Sequence, residues 1–322
     1  MRPIAKPSSQ SLQSIQQYHF THPIDALIPT SRDQEIINQF NAEPREIKER
    51  HFSSFDPPKP IKIYKYLASP HCFENEEEVS TKKDRLEKIL INHELYLSSH
   101  TQFNDPFDVF PSYKTDVSGS EIKRSVTKSF RKLQNLDGKQ LKEAVKKRLI
   151  WAFTNKDKFI DDTINGIRKV MEEVGIFCFT TDAENILMWS HYAFNHQGIC
   201  LEFDLTEELH LSHLLFKVKY DNARPQINPM IEAKPDDFDL NLLRKAESWH
   251  YENEWRLIAG RQSGRYAKFG NHFLKSVIIG AKASESTKKY LDEINKKRVQ
   301  IGLPPLEIKQ AKLCENEYKI IT

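Results

Sequence analysis

Cysteine is scarce: the 322 residues hold four, Cys72, Cys178, Cys200 and Cys314, far apart and with no CxxC pair. That spacing excludes a zinc ribbon and a dithiol redox motif, and all four thiols are expected to be reduced. Cys178 and Cys200 lie in apolar, strand-like runs, where a small buried thiol is expected rather than a nucleophile. Long apolar runs are lacking too. No stretch approaches the ~20 residues that cross a bilayer, and the opening MRPIAKPSSQSLQSIQQYHF has no apolar core ahead of a small-residue cleavage site. The expectation is a cytoplasmic protein with no membrane partner. Neither charge sign dominates: 48 Lys and Arg against 45 Asp and Glu leave +3. That is too little to imply nucleic-acid binding by itself, so nucleic acid stays open as a partner. The one basic stretch, Lys123 to Lys147, reads as a solvated helical face.

What is present is enough chain for a substantial core. Residues 1–60, rich in Gln, Ser and Pro and interrupted by Pro57, Pro58 and Pro60, read as a poorly ordered or docked N-terminal arm that adds little to that core. Residues 61–322 are expected to form one α+β unit. IKIYKYL alternates Ile61, Ile63 and Lys65 against Lys62, Tyr64 and Tyr66, a strand with unlike faces. From Ser118 to Val174, apolar residues such as Leu141, Val145 and Leu149 recur at three- and four-residue intervals, which predicts a helical insertion near 118–174. IFCFTT, GICLEFD, LLFKVKY, EWRLIAG and KSVIIG read as strands, and NILMWSHYA as a helix that Gly198 stops. The fold class is α+β: a central mixed sheet with flanking helices and a helical insertion.

Polar residues cluster in three places. LMWSHYAFNHQGICLEFD packs Trp189, His191, Tyr192, His196, Glu202 and Asp204 around a helix-to-strand transition. KAESWHYENEWRLIAG sets Glu252 and Glu254 just before Arg256, and LYLSSHTQFNDPFD ends in Asp105 and Asp108 around Pro106. Strand alternation places Glu254, Arg256 and Ile258 on one face with Trp255 and Leu257 on the other, so acid and base can pair. The same rule puts Glu202 and Asp204 opposite Ile199, Leu201 and Phe203. Asp105 and Asp108 read as braces of a turn. His191 and His196, five apart, do not share a helical face as metal ligands would.

With IYKYL and SVIIG, these motifs in this order resemble the bacterial proteins grouped as domain of unknown function 2971 (DUF2971), from Ile63 onward. A second resemblance is to the ADP-ribosyltransferase plan: a basic and aromatic first strand (Tyr64, Lys65, Tyr66), a Ser-bearing second strand (Ser98, Ser99), an aromatic helix and a late strand Glu. That resemblance implies an enzyme that cleaves NAD as substrate, in a bacterial defence or toxin role. Glu254 would support the cationic transition state, Tyr66 or Tyr192 would stack on nicotinamide, and Lys65 would contact ribose or phosphates. Ser98, Arg256 and His191 complete the candidate site, with His191 catalytic beside Glu254. No metal is expected there. Two other readings stay open: a metal-dependent nuclease or phosphoesterase using Asp105, Asp108, Glu202, Asp204 and Glu254, and a non-enzymatic module that binds a nucleotide or a partner.

Overall fold

The computed structural model describes Leu27 and residues 29–131, 138–231 and 240–322. Helices form at α1 (Ser31–Ala42), α2 (Arg45–Ser53), α3 (Glu76–Leu90), α4 (Gly119–Arg131), α5 (Gly138–Thr154), α6 (Lys156–Glu172), α7 (Ile186–His191) and α8 (Glu285–Gln300). The main strands are β1 (Lys62–Leu67), β2 (Gly175–Thr180), β3 (Ile199–Asp204), β4 (Leu215–Lys217), β5 (Glu254–Ala259), β6 (Leu274–Ile279) and β7 (Glu307–Gln310). They make one seven-stranded sheet in the order β7-β6-β3-β1-β2-β5-β4. Its neighbours pair antiparallel except β6 with β7, which are parallel, so the sheet is mixed and the fold is α+β.

The chain divides into two compact units rather than the single unit expected. One, the sheet unit, takes the described residues of Met1–Ser98 with Gly175–Val218 and His250–Thr322; the other, the helical unit, takes Ser99–Val174 and Lys219–Trp249. The helical insertion read at 118–174 is thus part of a larger, discontinuous body. A short parallel pairing of Ser112–Tyr113 with Gln226–Ile227 joins its two segments, and a second, Lys219–Asp221 with Arg244–Ala246, lies within the later one. Helical periodicity reports each helix but carries no record of such long-range pairing.

Alternation sorts each strand of the sheet into two faces. Ile63, Phe177, Phe179, Leu201, Phe203, Trp255 and Leu257 turn one way into the main apolar cluster. Tyr66, Cys200 and Ile278 turn the other way and pack with Met188, Trp189 and Ala193. Of the N-terminal segment, the stretch from Ser31 belongs to the core, and residues 1–26 lie outside the described residues. Phe40 of α1 and Phe52 of α2 are buried in the main cluster, edge to face at 5.7 Å, and Arg45 reaches Asp204 at 2.7 Å. A polar average over residues 1–60 hid two apolar anchors, and two buried aromatics are enough to dock a helical hairpin. Gly198 has a different role from the one expected. Helix α7 ends at His191, seven residues earlier, and is capped at Tyr192, while a side chain at Gly198 would clash with the carbonyl of Leu67.

Candidate functional site

A row of polar side chains crosses the face of the sheet opposite the main cluster. Glu202 in β3 stands opposite Tyr64 in β1, Tyr64 opposite Thr180 in β2, and Thr180 opposite Glu254 in β5. On the far side, Ser276 of β6 stands opposite Glu202. Five polar residues on five adjacent strands therefore lie in register, over four strand spacings of about 4.8 Å each, roughly 19 Å in all. Tyr64 is half-buried and the other four are buried. Buried polar groups need partners, and each has one.

Glu202 accepts from Ser276 Oγ at 2.7 Å and pairs with Lys62 and Lys309 at 2.6 Å each. Burial alone would raise this carboxyl, but the hydrogen bonds from Lys309, Lys62 and Ser276 outweigh it and hold the group at about 2. The Tyr64 phenol is pushed up to about 12, first by burial and then by the Glu202 charge. Thr180 Oγ1 accepts from the Asp182 amide at 3.1 Å. Glu254 is clamped by Arg256, Nε to Oε1 at 2.8 Å and Nη2 to Oε2 at 3.2 Å, with the guanidinium fully enclosed. Cys178, opposite Arg256, is half-buried and its thiol is raised by burial and then by Glu254, which disfavours the thiolate a nucleophile needs.

Helix α7 is fastened beside the row. Asn185 caps it through Oδ1 and donates through Nδ2 to the Tyr251 carbonyl at 3.0 Å. At its other end, the Tyr192 phenol donates to Glu252 Oε1 at 2.5 Å, and His191 Nδ1 lies 2.9 Å from the Tyr251 hydroxyl. Trp189 is fully buried, packs edge-on against Tyr66 at 5.0 Å and donates to the Ala183 carbonyl. After α7 the backbone turns through three consecutive left-handed residues, Phe194, Asn195 and His196, with φ of 48°, 53° and 69°. Such conformations are unfavourable for residues with a Cβ, and two hydrogen bonds hold His196 in place: its amide to Trp189 O at 3.1 Å, and its Nε2 with Ser190 Oγ at 3.0 Å.

Residues 188–257 match the model of a family described as Protein of unknown function (DUF2971). This segment is similar to DUF2971. No curated protein and no solved structure matches. The matched segment runs from Met188 in α7 to Leu257 in β5, and so contains His191, Tyr192, Glu202, Tyr251, Glu252, Glu254 and Arg256.

Of the residues singled out in the sequence, the structure brings Glu254, Arg256, Tyr66, Tyr192 and His191 to the side of the sheet that carries the polar row. Lys65 is on the other face. It shares its side with Ile63, donates to the Cys178 carbonyl at 2.9 Å and lies 4.7 Å from the Phe177 ring centre. The transferase resemblance had put it in one site with Tyr66, and strand alternation, already read in IKIYKYL, keeps the two on opposite faces. Ser98 bridges Ile176, its Oγ donating to that carbonyl at 3.0 Å. It is four residues along β2 from Thr180, about 13 Å by strand rise. Tyr66 is buried, with its hydroxyl given to the Asp182 carbonyl at 2.9 Å, so its ring is not open to a ligand.

The five acids of the nuclease reading are not gathered. Asp204 accepts from Arg45 and Thr206, and Glu202 and Glu254 stand at separate places in the row. Asp105 and Asp108 belong to the helical unit, where Asp105 caps the Phe107 amide at 2.9 Å and Asp108 faces Lys245 at 3.5 Å, both buried. Missed from the sequence were Thr180, Ser276 and Tyr251. The signal for Thr180 and Ser276 was a polar residue inside an otherwise apolar strand.

Proposed function

We propose that the sheet unit binds NAD and breaks its nicotinamide–ribose bond, passing the ADP-ribosyl group to water or to an acceptor. One arrangement supports the reading. Three half-buried tyrosines, Tyr64, Tyr192 and Tyr251, pack against the same apolar cluster, and two buried carboxylates, Glu252 and Glu254, accompany them. The nicotinamide ring of NAD is flat and cationic, and aromatic faces with carboxylates are the groups that hold such a ring.

When the C–N bond breaks, its electron pair leaves with nicotinamide and positive charge develops on the ribose. A carboxylate already fixed in position stabilises that charge without reorganising. Glu254 has this role and acts through its fixed charge from beneath the surface; Arg256 is its positioning residue, setting the plane of the carboxylate. Tyr192, anchored on Glu252, offers its ring to the nicotinamide. Water or an acceptor hydroxyl then bonds to the ribose carbon and releases a proton, which exposed His191 accepts beside Tyr251. Lys65, Ser98 and Tyr66 have no contact with substrate in this scheme.

The full chain incubated with NAD labelled in the nicotinamide ring tests the reading. Free label supports it, with or without transfer of ADP-ribose to components of an added extract. Intact NAD after incubation with extract overturns it, and cleavage of nucleic acid in a parallel arm with divalent metal would favour a nuclease instead.

A further inference from the structure

We propose that the helical unit carries a binding site of its own, a cavity of about 550 Å³ that takes a phosphate monoester of nucleotide size. Its walls come from the chain around Phe110 and Tyr113, from α6 and from Arg224. The volume falls within the range of small-molecule sites. Two of its side chains are arginines, Arg168 and Arg224, against one carboxylate, the exposed Asp161.

Arg168 carries the argument. Its guanidinium lies 4.8 Å from the Phe110 ring centre and 5.7 Å from that of Tyr113, and its Nε is buried with no hydrogen-bond partner among the described residues. A buried guanidinium N–H without an acceptor is costly, and a phosphate oxygen would satisfy it. Arg224 also lines the cavity, Nε and Nη2 donating to the Phe110 carbonyl at 3.2 and 2.6 Å, with its guanidinium 5.5 Å from the same ring. The Phe110 ring therefore meets two guanidinium groups. Such flat, polarisable surfaces accept a planar base by stacking, and Ile164 adds an apolar wall. Phosphate recognition by a guanidinium fork together with a stacked base describes a nucleoside monophosphate more closely than inorganic phosphate or an aliphatic acid.

Calorimetric titration of the full chain with AMP, GMP, CMP and UMP, and with inorganic phosphate, tests the site. At least one nucleotide is expected to bind saturably, more tightly than inorganic phosphate, and less tightly as salt is raised. R168Q is expected to weaken that binding about tenfold or more, and R168K, which keeps the charge but loses the fork, by an intermediate factor. If R168Q does not fold, the R168K comparison decides. The proposal is overturned if none of the four nucleotides binds at millimolar concentration, if inorganic phosphate binds as well as they do, or if the folded Arg168 variants bind as the native chain does. Because the readout is binding, it is independent of NAD turnover by the sheet unit.

Discussion

The phenol of Tyr192 donates a 2.5 Å hydrogen bond to the buried carboxylate of Glu252, tying the end of α7 to the turn that leads into β5. A hydrogen bond to a charged group contributes about 1.5–3 kcal/mol. Y192F keeps the ring and removes the donor, so urea denaturation is expected to show a loss of that size. A change inside about 0.5 kcal/mol, the scale of a neutral surface substitution, would show that Glu252 is held without Tyr192.

Glu254 and Arg256 form a pair closed off from solvent, at 3% and 0% side-chain exposure. Removing one partner strands the other charge, so E254Q is expected to cost roughly 3–5 kcal/mol. Adding R256M to the same chain removes the stranded guanidinium and is expected to recover most of the loss. Thermal melting of E254Q, R256M and the double variant measures this. A double variant no more stable than E254Q would mean that the loss does not come from an unpaired charge.

Deleting residues 1–55 removes Phe40 and Phe52 from the main cluster and Arg45 from Asp204. Truncating a buried Phe costs about 3–5 kcal/mol, so losing two should leave little of a typical stability margin. The truncated protein is expected to aggregate or to melt without cooperativity. A soluble, cooperatively folding product would place the N-terminal helices outside the core.

Acid should destabilise the protein in two stages. Burial, with the Lys59 charge adding to it, lowers His51 from 6.5 to about 4. As pH falls from 6.5 to 4 the unfolded chain binds a proton that the folded one refuses, and about 3 kcal/mol is lost. Glu202 is held at about 2 against an ordinary 4.5, so its contribution is present above pH 4.5 and lost as pH falls from 4.5 towards 2. Urea midpoints between pH 7 and pH 4 should decline in the native chain and less steeply in H51L, where His71, His93, His100 and His196, also lowered by burial, still contribute. An equal slope in both would remove His51 as the cause.

Much of the sheet was legible in the alternation of its strands. IKIYKYL, ICLEFD and EWRLI each sort into the two faces the structure keeps, with Ile63, Leu201, Phe203, Trp255 and Leu257 in the main cluster. Which strands are neighbours was not legible. The polar row needs Tyr64 opposite Thr180 and Thr180 opposite Glu254, and pairing between such distant residues is set by the register of the whole sheet. Glu254 and Arg256 were readable as a pair because both lie on one strand. Their burial was not, since it depends on β2 and β4 pairing on either side. Lys65 entered the site through the resemblance alone, although the alternation of its own strand sets it on the face away from Tyr64 and Tyr66.

The rate of nicotinamide release by E254Q relative to the native chain tests the role of Glu254 most directly. It should be measured at a temperature where circular dichroism shows both proteins folded, with NAD affinity determined alongside. Loss of a fixed charge that acts on a developing cation is expected to slow release by about two to three powers of ten, with NAD binding largely retained. Native chain that releases no nicotinamide, or folded E254Q that releases it at the native rate, would contradict the account.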